Sequence, residues 1–122
     1  MSKKINWWIW GTIAVIAVGG FYTWYSSQQP GKYDEFAQCI TDKGAAMYGA
    51  FWCPHCATQK TTFGKSFKFV NYIECSKPDR TQTEACDQAN ISSYPTWEFA
   101  DGSRQTGELS ILQLAQRTGC QV

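Results

Sequence analysis

The feature that most constrains this chain is Cys53-Pro54-His55-Cys56, set between a short apolar run at 45–51 and a stretch with helical character from 54 to about 69. A strand running into two cysteines and then into a helix puts Cys53 where backbone N–H groups and the helix dipole favour a thiolate. Cys53 is therefore the candidate nucleophile. Cys56 lies one helical turn along, close enough to attack a mixed disulfide formed at Cys53 and release the bound partner. Pro54 suits the first helical turn, where its missing N–H is not needed. His55 can donate toward the Cys53 sulfur and, when protonated, adds positive charge beside it. Stabilising the thiolate favours the reduced pair, so the disulfide form becomes the better oxidant.

Two other readings of the pair compete. A Cys-x-x-Cys can be half of a zinc site, but a structural site takes four ligands, usually as a second closely spaced pair, and the remaining cysteines here are scattered. A purely structural bridge across two residues closes too small a loop to constrain the unfolded chain much. The redox reading leads, with no metal expected.

Before the pair, residues 5–25 contain no charged side chain, carry Trp7, Trp8 and Trp10 at one end and Phe21, Tyr22, Trp24 and Tyr25 at the other, and follow Lys3 and Lys4. As a helix the stretch would be roughly 31 Å long, the span of a bilayer core. It predicts a transmembrane anchor within 1–25, with the lysines cytoplasmic and the rest of the chain extracytoplasmic: periplasm, cell exterior or thylakoid lumen. The rival is a cleaved signal peptide, for which Ala17-Val18-Gly19 offers a weak small-x-small site followed at once by bulky aromatics. Polar punctuation at 26–32 then reads as a linker.

Residues 33–122 leave room for one domain of about 90 residues. The net charge of +1 falls to −1 once Lys3 and Lys4 are set aside, with no block of like charge, so nucleic-acid binding gets no support. Six cysteines suit an oxidising compartment. Tyr33, Phe36, Ala37 and Ile40 recur at helical spacing, and the segment ends at Gly44. After the pair, Phe63 and Phe67 face inward while Lys60, Lys65 and Lys68 read as a wet face. A strand at 70–75, a short helix at 84–89, a strand at 96–100 turning at Asp101-Gly102, and a return to about 107 follow. Ser110 with Gln113 forms a capping box for a last helix through Ile111, Leu112, Leu114 and Ala115, stopped at Gly119.

That order, with the cysteine pair at the first strand-to-helix junction and Pro95-Thr96 ahead of the hairpin, resembles the thioredoxin fold, a central mixed sheet flanked by helices. Within it, MYGAFWCPHC (47–56), YIEC (72–75), a later cysteine in a short helix, ISSYPTWEF (91–99) and LAQRTG (114–119) are most similar to the thioredoxin-like domain fused to, or partnering, bacterial and plastid homologues of vitamin K epoxide reductase. The resemblance implies a cis Pro95 lying against the active disulfide, with Tyr94 shaping a substrate groove. It also implies a membrane partner that reoxidises Cys53 and Cys56 and passes electrons to a quinone, no cofactor being bound by this chain itself. It suggests that Cys75 pairs with Cys86. Cys39 and Cys120 are left over and could bridge, although six cysteines allow 15 connectivities. Ordinary reducing thioredoxins carry a buried Asp where this chain has Met47, so reduction of substrates is in doubt; Glu74 and Glu98 are the nearby carboxylates, read as strand residues facing solvent.

Three functions follow as expectations. The first is an anchored thiol oxidase that hands the Cys53–Cys56 disulfide to substrate proteins with thiols. The second is an extracytoplasmic disulfide reductase, including one for cytochrome assembly. The third is a non-catalytic module binding peptides in an aromatic groove around Trp52 and Tyr94.

Overall fold

In the computed structural model, which describes residues 6–122, strand β1 (Ala46–Gly49) lies at the centre of a four-stranded mixed sheet ordered β2-β1-β3-β4. It pairs parallel with β2 (Tyr72–Glu74) and antiparallel with β3 (Thr96–Glu98), which pairs antiparallel with β4 (Arg104–Thr106). Side chains alternate across a strand, so Met47, with its partners Tyr72 and Trp97, belongs to one face and Tyr48, with Ile73, to the other. The first face meets Phe36, Ala37 and Ile40 of helix α2 (Asp34–Asp42), Cys56 and Phe63 of α3 (Pro54–Phe63), and Leu114 of α5 (Ile111–Thr118) in the main core. The second face packs on Cys75, Ile91 and Cys86, the last on the short α4 (Glu84–Gln88). An α/β arrangement of this kind is compatible with a thioredoxin-like fold.

Several details depart from the periodicity. The helix expected to run to about 69 stops at Phe63, because Gly64 takes φ +57° and the chain continues as a 3-10 turn, Gly64–Phe69. Glycine adopts that conformation without a Cβ penalty. The capping box at α5 is present in both directions, yet Leu112 is exposed and Leu114 alone of that helix is fully buried. Cys39 of α2 is bonded to Cys120 beyond α5, and Cys75 to Cys86.

The chain divides into two compact units, one ending at Pro30 and the other being Gly31–Val122. The first contains α1 (Trp7–Gln28), which continues into the stretch read as a linker. The anchor expected over 5–25 is not supported: among the described residues no helix is long and apolar enough to cross a membrane. Freedom from charge was the wrong measure. A span takes about 20 consecutive, predominantly apolar residues. Here only 13–18 form an unbroken aliphatic run, and around it stand polar-tipped Trp and Tyr rings, three glycines and two threonines. The single-pass placement, with its extracytoplasmic domain, falls with the anchor. Lys3 and Lys4, on which its orientation rested, and Ile5, where the stretch began, lie outside the described residues.

Candidate active site

Cys53 is the N-cap of α3 and Pro54 opens the helix, so the first sulfur sits at the positive end of the helix dipole. Both cysteines are unbonded and buried, Cys53 with 7% of its surface exposed and Cys56 with 1%. Burial pushes the Cys56 thiol up to about 11; the neighbouring Cys53 adds to the rise, while a backbone bond at Ala50 and the positive charge of Lys60 oppose it. The inner sulfur is held as a thiol.

The loop before β3 comes over this pair. The Tyr94–Pro95 peptide is cis, Pro95 is fully buried, and the Cys53 thiol donates to the Tyr94 carbonyl at 3.7 Å. Trp52 meets the Tyr94 ring edge-on, with centroids 6.0 Å apart. Each aromatic is tied at its polar tip: Trp52 Nε1 donates to Ser76 Oγ at 2.8 Å and Tyr94 Oη to Gln82 Oε1 at 2.5 Å. Ser76 and Gln82 face each other across a β-bridge inside the loop that Cys75 and Cys86 close. That loop therefore holds the two aromatics which the sequence assigned to a groove, and Trp52 remains 41% exposed beside Cys53.

His55 does not take the partner read from sequence. Its Nδ1 lies 3.2 Å from Glu108 Oε2, and its side chain is 70% exposed. Glu108 was missed because no local pattern joins residues 53 apart. Gln59 was missed too. It is fully buried in α3, accepts from Leu109 N at 2.7 Å and Trp97 Nε1 at 3.3 Å, and donates to the Leu109 carbonyl at 2.9 Å, joining helix, sheet and the approach to α5. A polar residue at helical spacing between Cys56 and Phe63 was the available signal.

Beneath Cys56 the expected wet face is not wet throughout. Lys60 is half-buried, with Nζ 4.0 Å from the centre of the Tyr72 ring. Tyr72 Oη donates to Glu74 Oε2 at 2.7 Å, and Glu74 Oε1 accepts from Phe51 N at 3.1 Å and Ser76 N at 3.0 Å. Glu74 thus faces into a network rather than plainly into solvent; Glu98 is engaged by Arg104 at 2.6 Å. Met47 is fully buried on the same sheet face as Tyr72. Among the described residues no three His, Cys, Asp or Glu side chains gather to hold a metal ion. The chemistry available is that of a buried dithiol, both cysteines being unbonded and the outer one less covered than the inner.

No family model matches the sequence. A curated relative, thiol-disulfide oxidoreductase LTO1 of Arabidopsis thaliana, is 38% identical over 104 residues, which is 81% of this chain and 27% of that protein. The chain thus spans well under half the length of the relative it matches.

Proposed function

We propose that this chain is a thiol-disulfide oxidoreductase that works through Cys53 and Cys56, and that it runs as an oxidase of protein thiols. The observation that carries the reading is the pair itself: two unbonded cysteines at the start of α3 under the Tyr94–Pro95 peptide, the outer sulfur nearer the surface and the inner one held as a thiol. The likeness to a protein named for this activity supports it.

In the forward step a substrate thiolate attacks Cys53 Sγ of the oxidised pair. The Cys53–Cys56 bond breaks, and Cys56 leaves with the electron pair and takes up a proton. A second substrate thiolate then attacks the substrate sulfur of the mixed disulfide. Substrate leaves oxidised, Cys53 leaves as thiolate, and the chain is reduced by two electrons. Reoxidation falls to a vitamin K epoxide reductase homologue with a quinone as final acceptor, as the sequence resemblance implies. Trp52, Tyr94 and Pro95 form the groove in which the substrate lies.

The direction rests on Met47, an apolar side chain where a reducing member carries a buried carboxylate, and on the helix N-terminus at Cys53. Equilibration with glutathione buffers tests it. A potential more oxidising than roughly −210 mV is expected, and a value near thioredoxin's roughly −270 mV would make the chain a reductase instead. The activity itself is tested by trapping. Cys56→Ser should accumulate mixed disulfides with thiol proteins and Cys53→Ser should not; absence of adducts from both, with no thiol reacting rapidly with iodoacetamide, would leave only a peptide-binding module.

A further inference from the structure

Cys56 is almost wholly shielded from water and its thiol is held well above the neutral range, yet exchange requires it to lose a proton when it attacks and regain one when it leaves. Gly49 shows what lies beside it. A Cβ at that position would sit 3.0 Å from Cys56 Sγ, 3.1 Å from Tyr72 Oη and 2.8 Å from Tyr72 Cε2. The hydroxyl and the sulfur both border Gly49, the residue between them that carries no side chain.

We propose that Tyr72 and Glu74 form the proton path of Cys56, Tyr72 exchanging a proton with the sulfur and Glu74 joining Tyr72 to solvent. The inference rests on the disulfide-exchange reading above. Tyr72 Oη already donates to Glu74 Oε2, and two backbone N–H groups fix the other carboxylate oxygen. Glu74 is half-buried whereas Cys56 is almost wholly covered, so the acidic end of the pair lies nearer water than the sulfur does. The ionisable groups around Tyr72 are Glu74 from its own strand, Cys53 at the cap of α3, and Cys56 and Lys60 within that helix. The Lys60 ammonium over the ring offsets negative charge that develops on the hydroxyl or the sulfur during transfer. Burial, reinforced by Glu74, raises the Tyr72 hydroxyl, so it stays protonated at rest and passes a proton on without storing charge.

When Cys56 resolves a mixed disulfide between Cys53 and glutathione, its sulfur attacks Cys53 Sγ and is oxidised. Glutathione leaves as a thiolate, is reduced, and takes a proton from water. The Cys56 proton moves to Tyr72 Oη as the Tyr72 proton moves to Glu74 Oε2 and out. Discharge of the pair onto a substrate runs the same path in reverse.

The experiment loads the full reduced chain with glutathione disulfide and follows glutathione release by stopped flow from pH 5 to 9, for wild type, Tyr72→Phe and Glu74→Gln. Phenylalanine keeps the ring under Lys60, and glutamine keeps an acceptor for Phe51 and Ser76. Both variants should release glutathione about tenfold or more slowly near pH 7 and lose the solvent deuterium effect of the wild type, with Cys53 alkylation by iodoacetamide unchanged. Equal release in wild type and Tyr72→Phe across that range overturns the path. So does equal slowing of release and alkylation, which would mark a structural hydroxyl. If the wild type releases no glutathione, the exchange reading itself fails, and the path with it.

Discussion

At the scale of single residues, the site depends on what is small and what is buried. Gly49 is the clearest case, since a Cβ there would lie 2.8 Å from Tyr72 Cε2, closer than carbon atoms tolerate, and tightly against the Cys56 sulfur at 3.0 Å. Gly49→Ala should cost about 1–3 kcal/mol, read from chemical denaturation, because a well-packed site overfilled by one carbon forces neighbours to shift. An unchanged midpoint would mean that the Tyr72 ring gives way freely. The Cys56 thiol carries a pH signature as well. Its folded pKa, raised to about 11, exceeds that of a thiol in the unfolded chain, about 8.5. Between those values the folded state holds the proton that the unfolded state has lost, so stability falls with rising pH. Below that window the contribution is fully present. Urea unfolding of the reduced protein should therefore show declining stability from about pH 8.5 upward. Up to about pH 10, where tyrosines begin to titrate in the unfolded chain, the oxidised protein, with no Cys56 thiol to titrate, should lack that decline, and parallel curves for the two forms over that range would show that the inner sulfur is not held as a thiol.

At the scale of elements, the loop closed by Cys75 and Cys86 connects stability to the groove. Residue separation across this bridge is 11, for which loss of unfolded-chain entropy amounts to roughly 3 kcal/mol. The double variant Cys75→Ser with Cys86→Ser should lose about that much, and Trp52 fluorescence should shift because Ser76 and Gln82 no longer hold the aromatic pair. A stability loss with unaltered fluorescence would separate the staple from the groove. Much of this level was legible beforehand, since Tyr33, Phe36, Ala37 and Ile40, and the Ser110–Gln113 box, are local patterns whose spacing follows from the helical period. Where reading failed, the cause was nonlocal. Glu108 meets His55, Gln59 joins α3 to Leu109, and Lys60 lies over Tyr72 only after the sheet and α3 have packed together. The break at Gly64 was in plain view, but a glycine inside an apolar pattern does not announce a positive φ. On α1, length and freedom from charge were legible and apolarity was misjudged, because the unbroken aliphatic run covers only 13–18 of the stretch.

For the molecule as a whole, the question is which part of the chain carries the fold. Both core clusters, from Phe36 through Cys120 and from Cys75 through Ile91, lie wholly within Gly31–Val122, as do both disulfides and all four strands. Helix α1 buries none of its own residues. Stability arises from burial of apolar surface and from ordered, satisfied backbone, and both clusters are built from residues of Gly31–Val122. A fragment beginning at Gly31 should therefore unfold cooperatively, with the same urea midpoint and slope as the full chain, and resolve glutathione at the same rate. The slope matters as much as the midpoint because it follows the surface exposed on unfolding. A fragment that lost cooperativity, or whose slope fell while its midpoint held, would show that the residues before Gly31 belong to the folding unit.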